Sequence, residues 1–490
     1  MQPAWNIDHD AAYRAWIARD ARFDGRLFVG VTSTGIYCRP VCRVRLPKQA
    51  NCRFFPNAAS AECEGFRPCL RCRPELAPGL SLMDSSQALA DSAARRIEQS
   101  VHSGTAFSMN ALAQRLGVTD RHLRRIFQAA HGVSPMDYLS TQRLLLAKQL
   151  LTDTALPVTQ VALASGFASV RRFNDAFMQR YRMSPTRLRK EGDEPGAARE
   201  PVTVLRLGYR PPYDIEGMLA FLAKREVAGM ESTEGLTVRR TMRIDLPDGQ
   251  TQLGWIAATF VPERCEVWLA PSPSLSSCLG AVMHRVRQGL DLDADPSLID
   301  PVLAALPMPL REGLRLPGSF DGFESAVRVL LGQQITVKAA RTITHRLVER
   351  FGAPVESPFP TLHRAFPGPR TLAQADPADI GTLGIVRQRV KAIQALSQAV
   401  CEGRIELDRS APLEPTLAAL RELPGVGEWS AQVIAMRVLA WPDAFPSTDI
   451  GVLNALQLRD ARAAADQSLA WRPWRAYAVM RLWHSLETAA

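Results

Sequence analysis

The chain has 490 residues, about three times the length of a typical domain, and 46% of them are hydrophobic, so several folded cores are expected. Its first thirty residues carry charges throughout, and no stretch approaches the roughly 18 consecutive apolar residues of a membrane span. This pattern excludes secreted and membrane-spanning classes and predicts a cytoplasmic protein. The net charge of +10 is uneven: residues 1–192 carry 27 Lys and Arg against 15 Asp and Glu, whereas the remainder carries 32 against 34. A polyanion is therefore the expected partner of the first 192 residues.

Composition shifts and periodicity divide the chain into successive units. Pro and Gly in "RCRPELAPGLS" end a first unit, and apolar residues at three-to-four spacing predict helices from about 79 to 190. Alternation in "VTVLRLGYRPP", "LTVRRTMRIDL", "GWIAATFV" and "CEVWLA" predicts strands, and the last 220 residues are predicted to be all-α. We therefore expect a multidomain chain: a small α/β unit, an all-α unit, an α+β antiparallel-sheet unit and a second all-α unit. The predicted boundaries are 1–78, 79–192, a linker at 193–201, 202–271 and 272–490.

Four cysteines form two close pairs in the first unit. The motifs "GIYCRPVCRVR" and "FRPCLRCRPE" contain a C-x3-C and a C-x2-C pair separated by 26 residues. In a reducing compartment this spacing suits one tetrahedral zinc ion held by four thiolates, and a closed, purely structural zinc site is the alternative. The predicted ligands are Cys38, Cys42, Cys69 and Cys72.

The remaining candidate ligands of this unit lack such spacing. Cys52 and Cys63 have no close partner and are predicted to be buried core thiols, and His9 has no ligand spacing. We expect one Zn²⁺ and no organic cofactor.

The stretch from "TSTGIYCRPVCRVR" through "FPNAASAECEGFRPCLRCRPE" closely resembles the methylphosphotriester-sensing zinc domain of the bacterial Ada family, over about residues 5–76. The resemblance implies that the zinc is reactive as well as structural and that Cys38 accepts a methyl group from a methylated DNA phosphate. Four thiolates on one Zn²⁺ form a complex of charge −2, which repels phosphodiesters but admits an uncharged methyl phosphotriester. Transfer removes one unit of repulsion, on the order of 4 kcal/mol at about 4 Å and an effective dielectric of about 20. Methylation is therefore expected to raise DNA affinity on the order of a thousandfold.

Positive side chains surround these cysteines and are expected to hold the DNA backbone beside the sulfur atoms. The alternative for each one is a solvated surface cation. Arg45 and Arg67 are the two that we single out as DNA-binding. The full set is Arg39, Arg43, Arg45, Lys48, Arg67, Arg71 and Arg73.

A repeat follows in the second unit. "LAQRLGVTDRHLRRIF" and "VALASGFASVRRFNDAF" both predict a helix, a glycine turn and a second helix, with Gly117 and Gly166 in the turns. An ordinary helical bundle is the alternative. Over about residues 85–190 the segment is similar to the AraC-type DNA-binding domain, which implies that the second helices enter adjacent major grooves. The residues expected near bases or phosphates are Arg121, Arg124, Arg125, Ser169, Arg171 and Arg172, and those expected in the core are Leu123, Ile126, Phe173 and Phe177.

The C-terminal unit contains a glycine hairpin and an isolated acid. In "LPGVGEWSAQVIAMRVL", Gly425 and Gly427 form a tight connection between helices, where backbone N–H groups and a helix N-terminus can face a phosphate. Twenty-two residues after Gly427, "FPSTDIGVLNAL" places Asp449 at a predicted helix start. A helix N-cap is the alternative role for this aspartate.

These segments resemble the helix-hairpin-helix DNA glycosylases. The motifs "PPYDIEGMLAFL", "GLRLPGSFDGFESAVRVLLGQQITV" and "WRPWRAYAVMRLW" narrow the resemblance to 3-methyladenine DNA glycosylase II, the AlkA type, over about 203–485. The resemblance implies that Asp449 is the catalytic carboxylate. Bifunctional relatives carry a lysine nucleophile where this chain has Trp429, so strand cleavage is not expected.

The same resemblance predicts an aromatic pocket for a flipped, alkylated base. Gln334 stands at or beside the wedge residue, often Leu, that fills the gap in the duplex, and Val433 replaces an aromatic residue of the AlkA type. For Tyr477 a core position is the alternative. The predicted pocket residues are Trp429, Trp483, Phe221 and Tyr477.

Together the motifs predict a fused DNA alkylation-response protein: a zinc methyl acceptor, a promoter-binding activator and a monofunctional glycosylase for alkylated purines. The expected partners are double-stranded DNA, at promoter sites and at alkylated lesions, and RNA polymerase, with no membrane. Two helix-turn-helix units in one chain favour a monomer. The Pro-Cys-His-Arg motif of O6-alkylguanine methyltransferases is absent from the sequence. The alternative function is a transcription regulator whose C-terminal half is only a nonspecific DNA-binding module.

Overall fold

The computed structural model describes residues 9–19, 23–24, 27–42, 44–55, 58–72, 74, 84–103, 107–191, 204–246 and 249–488. The predicted linker, Arg43 and Arg73 lie outside these residues. Within these ranges no helix combines the length and the apolar composition that crossing a membrane requires.

The cysteine domain (residues 9–74) is a small α/β unit, as predicted. Its described strands form a mixed sheet in the order β3-β1-β2-β4, in which β1 pairs antiparallel with β2 and β3, and β4 runs parallel to β2. Gly30 in β1 leaves room for two rings, because a Cβ there would lie 2.8 Å from Phe55 and 2.9 Å from Phe66. The elements are α1 (His9–Ile17), β1 (Phe28–Val31), β2 (Ile36–Cys38), β3 (Cys52–Phe55), α2 (Ala58–Cys63) and β4 (Arg67–Pro68).

A buried ion pair in the cysteine domain corrects one expectation. The Arg39 guanidinium donates from Nε to Asp24 Oδ1 at 2.8 Å and also bonds Asp24 Oδ2, and the two side chains are 7% and 5% exposed. Arg39 also donates from Nη1 to the carbonyl of Cys72 at 3.4 Å. Arg39 is therefore a structural cation, and the expectation that it contacts DNA is wrong.

The paired helix-turn-helix domain (residues 84–191) has the predicted repeat. Gly117 and Gly166 adopt φ values of +69° and +79°, the left-handed conformation that glycine tolerates best, at the two turns. The four residues assigned to the core are all buried. The helices are α3 (Asp84–Ser103), α4 (Met109–Arg115), α5 (Asp120–His131), α6 (Pro135–Asp153), α7 (Val158–Ala164), α8 (Val170–Tyr181) and α9 (Pro185–Glu191).

The sheet domain (residues 204–292) contains the predicted antiparallel strands and one that the sequence did not reveal. The described strands pair antiparallel in the order β5-β9-β8-β7-β6. β6 was missed because its residues, "ESTE", are all polar and show no alternation. The apolar core of the sheet extends past residue 271 into α11. The elements are β5 (Leu205–Gly208), α10 (Ile215–Arg225), β6 (Glu231–Glu234), β7 (Thr237–Asp245), β8 (Thr251–Val261), β9 (Glu266–Pro271) and α11 (Leu279–Gly289).

The C-terminal helical domain (residues 296–488) surrounds a large apolar core. Its one described departure from the all-α expectation is the short pair β10 (Ala353–Pro354) and β11 (Arg364–Ala365). The helices are α12 (Pro296–Leu303), α13 (Gly322–Leu331), α14 (Val337–Phe351), α15 (Pro369–Gln374), α16 (Pro377–Gly381), α17 (Arg387–Cys401), α18 (Leu413–Glu422), α19 (Glu428–Arg437), α20 (Ile450–Ala455), α21 (Ala461–Gln467) and α22 (Arg475–Thr488).

A buried charge network joins the sheet to α13. Arg240 on β7 donates to Glu324 on α13 at 2.5 Å, and Arg328 on α13 donates to Glu231 on β6 at 2.9 Å. Burial opposes ionisation of Glu231, but the charges of Arg328 and Arg240 prevail and lower its pKa. Since removing one partner would strand a buried charge, this network fixes α13 on the sheet.

The cysteine domain rests on the C-terminal helical domain. Arg14 on α1 donates to the carbonyl of Ala470 at 3.2 Å, and the Phe23 ring lies 6.5 Å from the Trp441 ring. A cavity of about 1300 Å³ remains where these two domains meet the paired helix-turn-helix domain. We call it the junction cavity.

Replacing Asp24 with Ala should destabilise the cysteine domain by about 3–5 kcal/mol, because Arg39 would remain buried without its counter-charge. Native-state hydrogen exchange of the β1 and β3 amides measures this loss. Glu64→Ala is the control: Glu64 pairs with Arg53 at 3.0 Å, but both side chains are more than half exposed, so its loss should cost less than about 1 kcal/mol. Equal effects of the two substitutions would contradict the assignment.

Candidate active site and zinc centre

The Asp449 carboxylate is buried and held from three directions. Oδ1 accepts from the backbone N–H of Val452 at 2.9 Å and from the Trp483 indole N–H at 2.9 Å, and Oδ2 accepts from the Trp429 indole N–H at 2.7 Å. Its side chain caps α20, so the N-cap interpretation is confirmed, and only 7% of the residue is exposed. The cap bond and the two indole bonds together hold one carboxylate in a defined orientation.

Three helices that are distant in sequence supply this arrangement. Trp429 lies in the first turn of α19, Asp449 precedes α20, and Trp483 lies in α22. Gly451 permits the approach, because a Cβ there would lie 3.0 Å from Asp449 Oδ1 and 3.1 Å from Trp483 Cδ1. Gly451 was not predicted as a site residue, although the glycine in "TDIG" was a visible signal.

Two of the predicted pocket residues lie in the apolar core and do not contact Asp449. The Phe221 ring is 5% exposed and packs between the guanidiniums of Arg225, at 3.7 Å, and Arg437, at 5.2 Å. With Trp483, Phe221 lines a cavity of about 10 Å³, which holds about one water molecule and not a purine. Tyr477 is buried, and its hydroxyl donates to Asp291 Oδ2 at 2.8 Å.

Val433 is also buried, and burial shifts the pKa of Arg437. Val433 is 4% exposed and belongs to the helical core. Burial, followed by the charges of Arg225 and Arg328, lowers the pKa of Arg437 to about 9. The structure therefore brings Trp429 and Trp483, but not Phe221 or Tyr477, into direct contact with Asp449.

The glycine hairpin connects α18 to α19 as predicted. Gly425 has φ +78°, and a Cβ there would lie 3.2 Å from Ala392. Gly427 is exposed, lies in open space and precedes α19 without a side-chain cap. The first N–H groups of α19 therefore point out of an uncapped helix N-terminus, the geometry that binds phosphate.

Gln333 joins this hairpin to the end of α13. Gln333 Nε2 donates to the carbonyl of Gly425 at 2.9 Å and to Ser430 Oγ at 2.8 Å. Gln334 is exposed and adopts φ +54°, a left-handed conformation that non-glycine residues seldom adopt. Gln333 was not predicted as a site residue, although it precedes Gln334 in "LGQQIT". The bonds of Gln333 hold the end of α13, where Gln334 follows, against the glycine hairpin and the start of α19.

The four predicted zinc ligands converge in the cysteine domain. All four Sγ atoms lie within 4.8 Å of one another, and a tetrahedral Zn²⁺ with Zn–S bonds of about 2.3 Å would place them about 3.8 Å apart. The hydrogen bond with Cys42, and to a smaller extent the one with Cys72, raises the pKa of Cys38. Hydrogen bonds with Cys38 and Cys72 lower the pKa of Cys42. Four thiolates this close would repel one another unless a cation lay among them, so the donor set fits zinc.

The thiols differ in their surroundings. Cys38 is 3% exposed at the end of β2, whereas Cys42 and Cys72 line the junction cavity. Cys72 Sγ accepts from the backbone N–H of Arg39 at 3.4 Å. Cys52 is buried, as predicted, but Cys63 is exposed because it ends the short helix α2 at the surface, so that expectation is wrong.

Most of the cations expected to contact DNA are exposed. Arg45 and Arg67 are exposed, and Arg67 pairs across the sheet with Ile36, two residues before Cys38. On α5, Arg124 pairs with Asp120 at 2.5 Å and Arg125 contacts His122 at 3.1 Å, while Arg121 is exposed. Arg171 and Arg172 on α8 are exposed, and Ser169 Oγ caps α8 by accepting from the Arg172 N–H at 3.3 Å.

Comparison with known proteins agrees with this arrangement. Four family models match in succession: "Metal binding domain of Ada" at residues 11–75, "Helix-turn-helix domain" at 112–191, "AlkA N-terminal domain" at 204–321 and "HhH-GPD superfamily base excision DNA repair protein" at 327–467. A relative from Mycobacterium tuberculosis, named "Probable bifunctional transcriptional activator/DNA repair enzyme AlkA", is 39% identical over 98% of this chain and 97% of its own length. The chain belongs to this Ada–AlkA fusion family.

Other relatives of this fusion protein match one half each. The "DNA-3-methyladenine glycosylase 2" of Escherichia coli is 29% identical over 57% of the chain and 96% of its own length. The "Bifunctional transcriptional activator/DNA repair enzyme Ada" of Escherichia coli is 33% identical over 34% of the chain but only 45% of its own length. The fusion family thus combines part of the Ada protein with a nearly full-length glycosylase.

The predicted ligand set implies that two buried cysteines of the cysteine domain differ in their importance for zinc binding. Cys42→Ala should abolish stoichiometric zinc, because three thiolates leave the tetrahedral site open and weaken it, whereas Cys52→Ala should retain it. Metal analysis of the purified variants by mass spectrometry provides the measurement. Zinc retained by Cys42→Ala, or lost equally by Cys52→Ala, would refute the ligand set.

Proposed function

We propose that the C-terminal half (residues 204–488) is a monofunctional DNA glycosylase that hydrolyses the N-glycosidic bond of alkylated purines such as 3-methyladenine. The observation that carries the proposal is the Asp449 carboxylate held by Trp429 and Trp483 beside the glycine hairpin. A buried carboxylate in a fixed orientation supplies negative charge where an oxocarbenium-like transition state develops positive charge at C1′.

The reaction needs no group other than water and this carboxylate. The bond from C1′ to the purine nitrogen breaks, and the electron pair leaves with the cationic base, which departs neutral. Water, oriented by the Asp449 carboxylate, adds to C1′ and passes its proton to this carboxylate or to bulk water. Alkylation at N3 or N7 makes the base a good leaving group, so selectivity rests on leaving-group chemistry as well as on contacts.

The surrounding residues support base flipping. The target base must leave the duplex to reach a buried carboxylate, and the uncapped start of α19 suits the DNA backbone beside it. Gln334, exposed in a left-handed conformation, is the candidate to fill the gap in the duplex. The faces of Trp429 and Trp483 suit a cationic base, worth about 0.5–2 kcal/mol.

Trp429 also accounts for the absence of a lyase step in this proposal. Strand cleavage through a Schiff base needs a lysine amine at the sugar C1′. The residue in that position is Trp429, whose N–H bonds Asp449. Borohydride trapping with alkylated DNA should therefore yield no covalent adduct.

For the N-terminal half (residues 9–191) we propose a methyl-activated transcription activator. Its cysteine cluster would hold one Zn²⁺, which keeps thiolates deprotonated at neutral pH. The Cys38 thiolate then attacks the methyl carbon of a DNA methylphosphotriester: the S–CH₃ bond forms, the O–CH₃ bond breaks, and the phosphodiester leaves as an anion. The exposed Arg45 and Arg67 support the approach of a DNA backbone.

Methylation is the proposed signal for promoter binding. The transferred methyl removes one negative charge from the cysteine cluster, and the repulsion between the cluster and DNA phosphates falls accordingly. The exposed arginines of α5 and α8 then bind the promoter in adjacent major grooves and recruit RNA polymerase. A single chain carries both helix-turn-helix units, so we propose that it binds as a monomer.

Asp449→Asn should lower the single-turnover rate of 3-methyladenine excision by on the order of a hundredfold or more, because the amide lacks the negative charge. Asparagine still caps a helix, so the fold should persist. Asp460→Asn is the matched control: Asp460 is exposed, caps α21 in the same way and should leave the rate unchanged. Equal rates for wild type and Asp449→Asn would favour the alternative in which this half is a nonspecific DNA-binding module.

Exposure to methylphosphotriester DNA should add one methyl group, about 14 Da, to the peptide containing Cys38 and raise promoter affinity by up to about a thousandfold at low salt. Peptide mass spectrometry and a mobility-shift titration provide the two measurements. Cys52→Ala serves as the control and should be methylated normally. If Cys38 stays unmodified, the proposed methyl transfer is wrong and the alternative of a purely structural zinc site is favoured.

A further inference from the structure

The paired helix-turn-helix domain contacts the C-terminal half through polar side chains of α3. Arg96 on α3 pairs with Glu406 at 3.2 Å, and Gln99 on α3 donates to Asp408 at 2.8 Å and accepts from Ser410 at 2.7 Å. Arg96 and Glu406 are only 15% and 21% exposed. Arg115 on α4 also pairs with Glu406. We call this group the α3 latch.

A second contact covers a sheet edge. β5 is the edge strand of its sheet, and edge strands leave backbone groups open to pairing with other chains. Here the backbone N–H of Arg206 donates to Asp153 at 3.2 Å, and Gln149 donates to the carbonyl of Arg206 at 3.0 Å. Both side chains come from the end of α6. The helix-turn-helix domain thus occupies the edge where another strand would pair.

Apolar packing accompanies the two polar contacts. α3 packs on α11, and α7 packs on residues 273–278. The buried side chains of the helix-turn-helix domain and of the sheet form one continuous cluster. A shared apolar core is the mark of a stable interface rather than of two domains on a tether.

Docking leaves the DNA-binding surface free. The latch and edge contacts use α3, the end of α4 and the end of α6, whereas Arg121, Arg171 and Arg172 remain exposed on α5 and α8. DNA can therefore bind the helix-turn-helix units without separating the halves. The latch also lies immediately before α18, the helix that leads into the glycine hairpin.

We propose that the face formed by α3 and the end of α6 is a docking surface for the C-terminal half of the same chain. The two halves recognise each other without the covalent linker and stay together when DNA is bound. The proposal is independent of the chemistry proposed for Asp449 and Cys38.

The test cuts the chain between the two halves. A site-specific protease sequence is inserted within residues 193–201 of the full-length protein, the chain is cut, and the dissociation constant of the halves is measured by sedimentation. We expect the cut halves to remain one complex at micromolar concentration. Halves that separate at this concentration and low salt would overturn the proposal.

A double-mutant cycle then tests the latch. Arg96→Ala and Glu406→Ala should each weaken association by about tenfold or more, and the double variant should weaken it no further than Glu406→Ala alone. Arg53→Ala is the matched control, since Arg53 forms an exposed ion pair within the cysteine domain, and should change association less than twofold. Effects below twofold, or strictly additive effects, would overturn the assignment of Arg96 and Glu406.

Hydrogen exchange on the uncut chain distinguishes loss of docking from misfolding of a variant. The Arg206 amide should exchange slowly in the wild type and about tenfold or more faster in Asp153→Ala, while the amides of α5 keep their protection. An Arg206 amide that exchanges freely in the wild type would show that the edge is open and would contradict docking.

Discussion

The C-terminal half depends on keeping one buried carboxylate hydrogen-bonded from three directions. A buried charge is costly unless its lone pairs are satisfied, and Asp449 satisfies them with one backbone N–H and two indole N–H groups. These donors lie on α19, α20 and α22, so the helices must meet at one point. The requirement ties the hairpin, the helix that follows it and the last helix into a single unit.

The same bonds relate stability to the proposed chemistry. The donors that stabilise the carboxylate also fix the direction in which its charge acts, which is what preorganised electrostatic catalysis requires. Gln333 extends this unit to α13, because it bonds both the hairpin carbonyl and the start of α19. The buried charges between α13 and the sheet in turn hold α13 in place.

The N-terminal half follows a different electrostatic logic. Its positive surplus includes many exposed arginines, while four thiols, which would be negatively charged as zinc thiolates, converge at one point of the cysteine domain. Arg39 shows why charge counts alone mislead: it belongs to the basic stretch beside the cysteines, yet it is buried on Asp24 and unavailable to DNA. The α3 latch joins this half to the C-terminal half, and residues of both halves line the junction cavity. The two halves of the fusion are therefore in direct contact in the folded chain.

Local patterns were enough to predict much of this protein. Cysteine spacing predicted the four thiols that the structure brings together, and the turn glycines predicted both helix-turn-helix units. Asp449 and its two tryptophans were predicted from the resemblance to the helix-hairpin-helix glycosylases. The close cysteine pairs and the glycine turns depend on short-range geometry, which sequence spacing encodes directly. The polar strand β6, the exposed Cys63, the buried Arg39 and the core positions of Phe221 and Tyr477 were decided by tertiary packing. In these cases partners from distant segments determine burial and pairing, and no local spacing reports them. The docking of the two halves has the same origin, because residues more than 300 positions apart meet only in the folded chain.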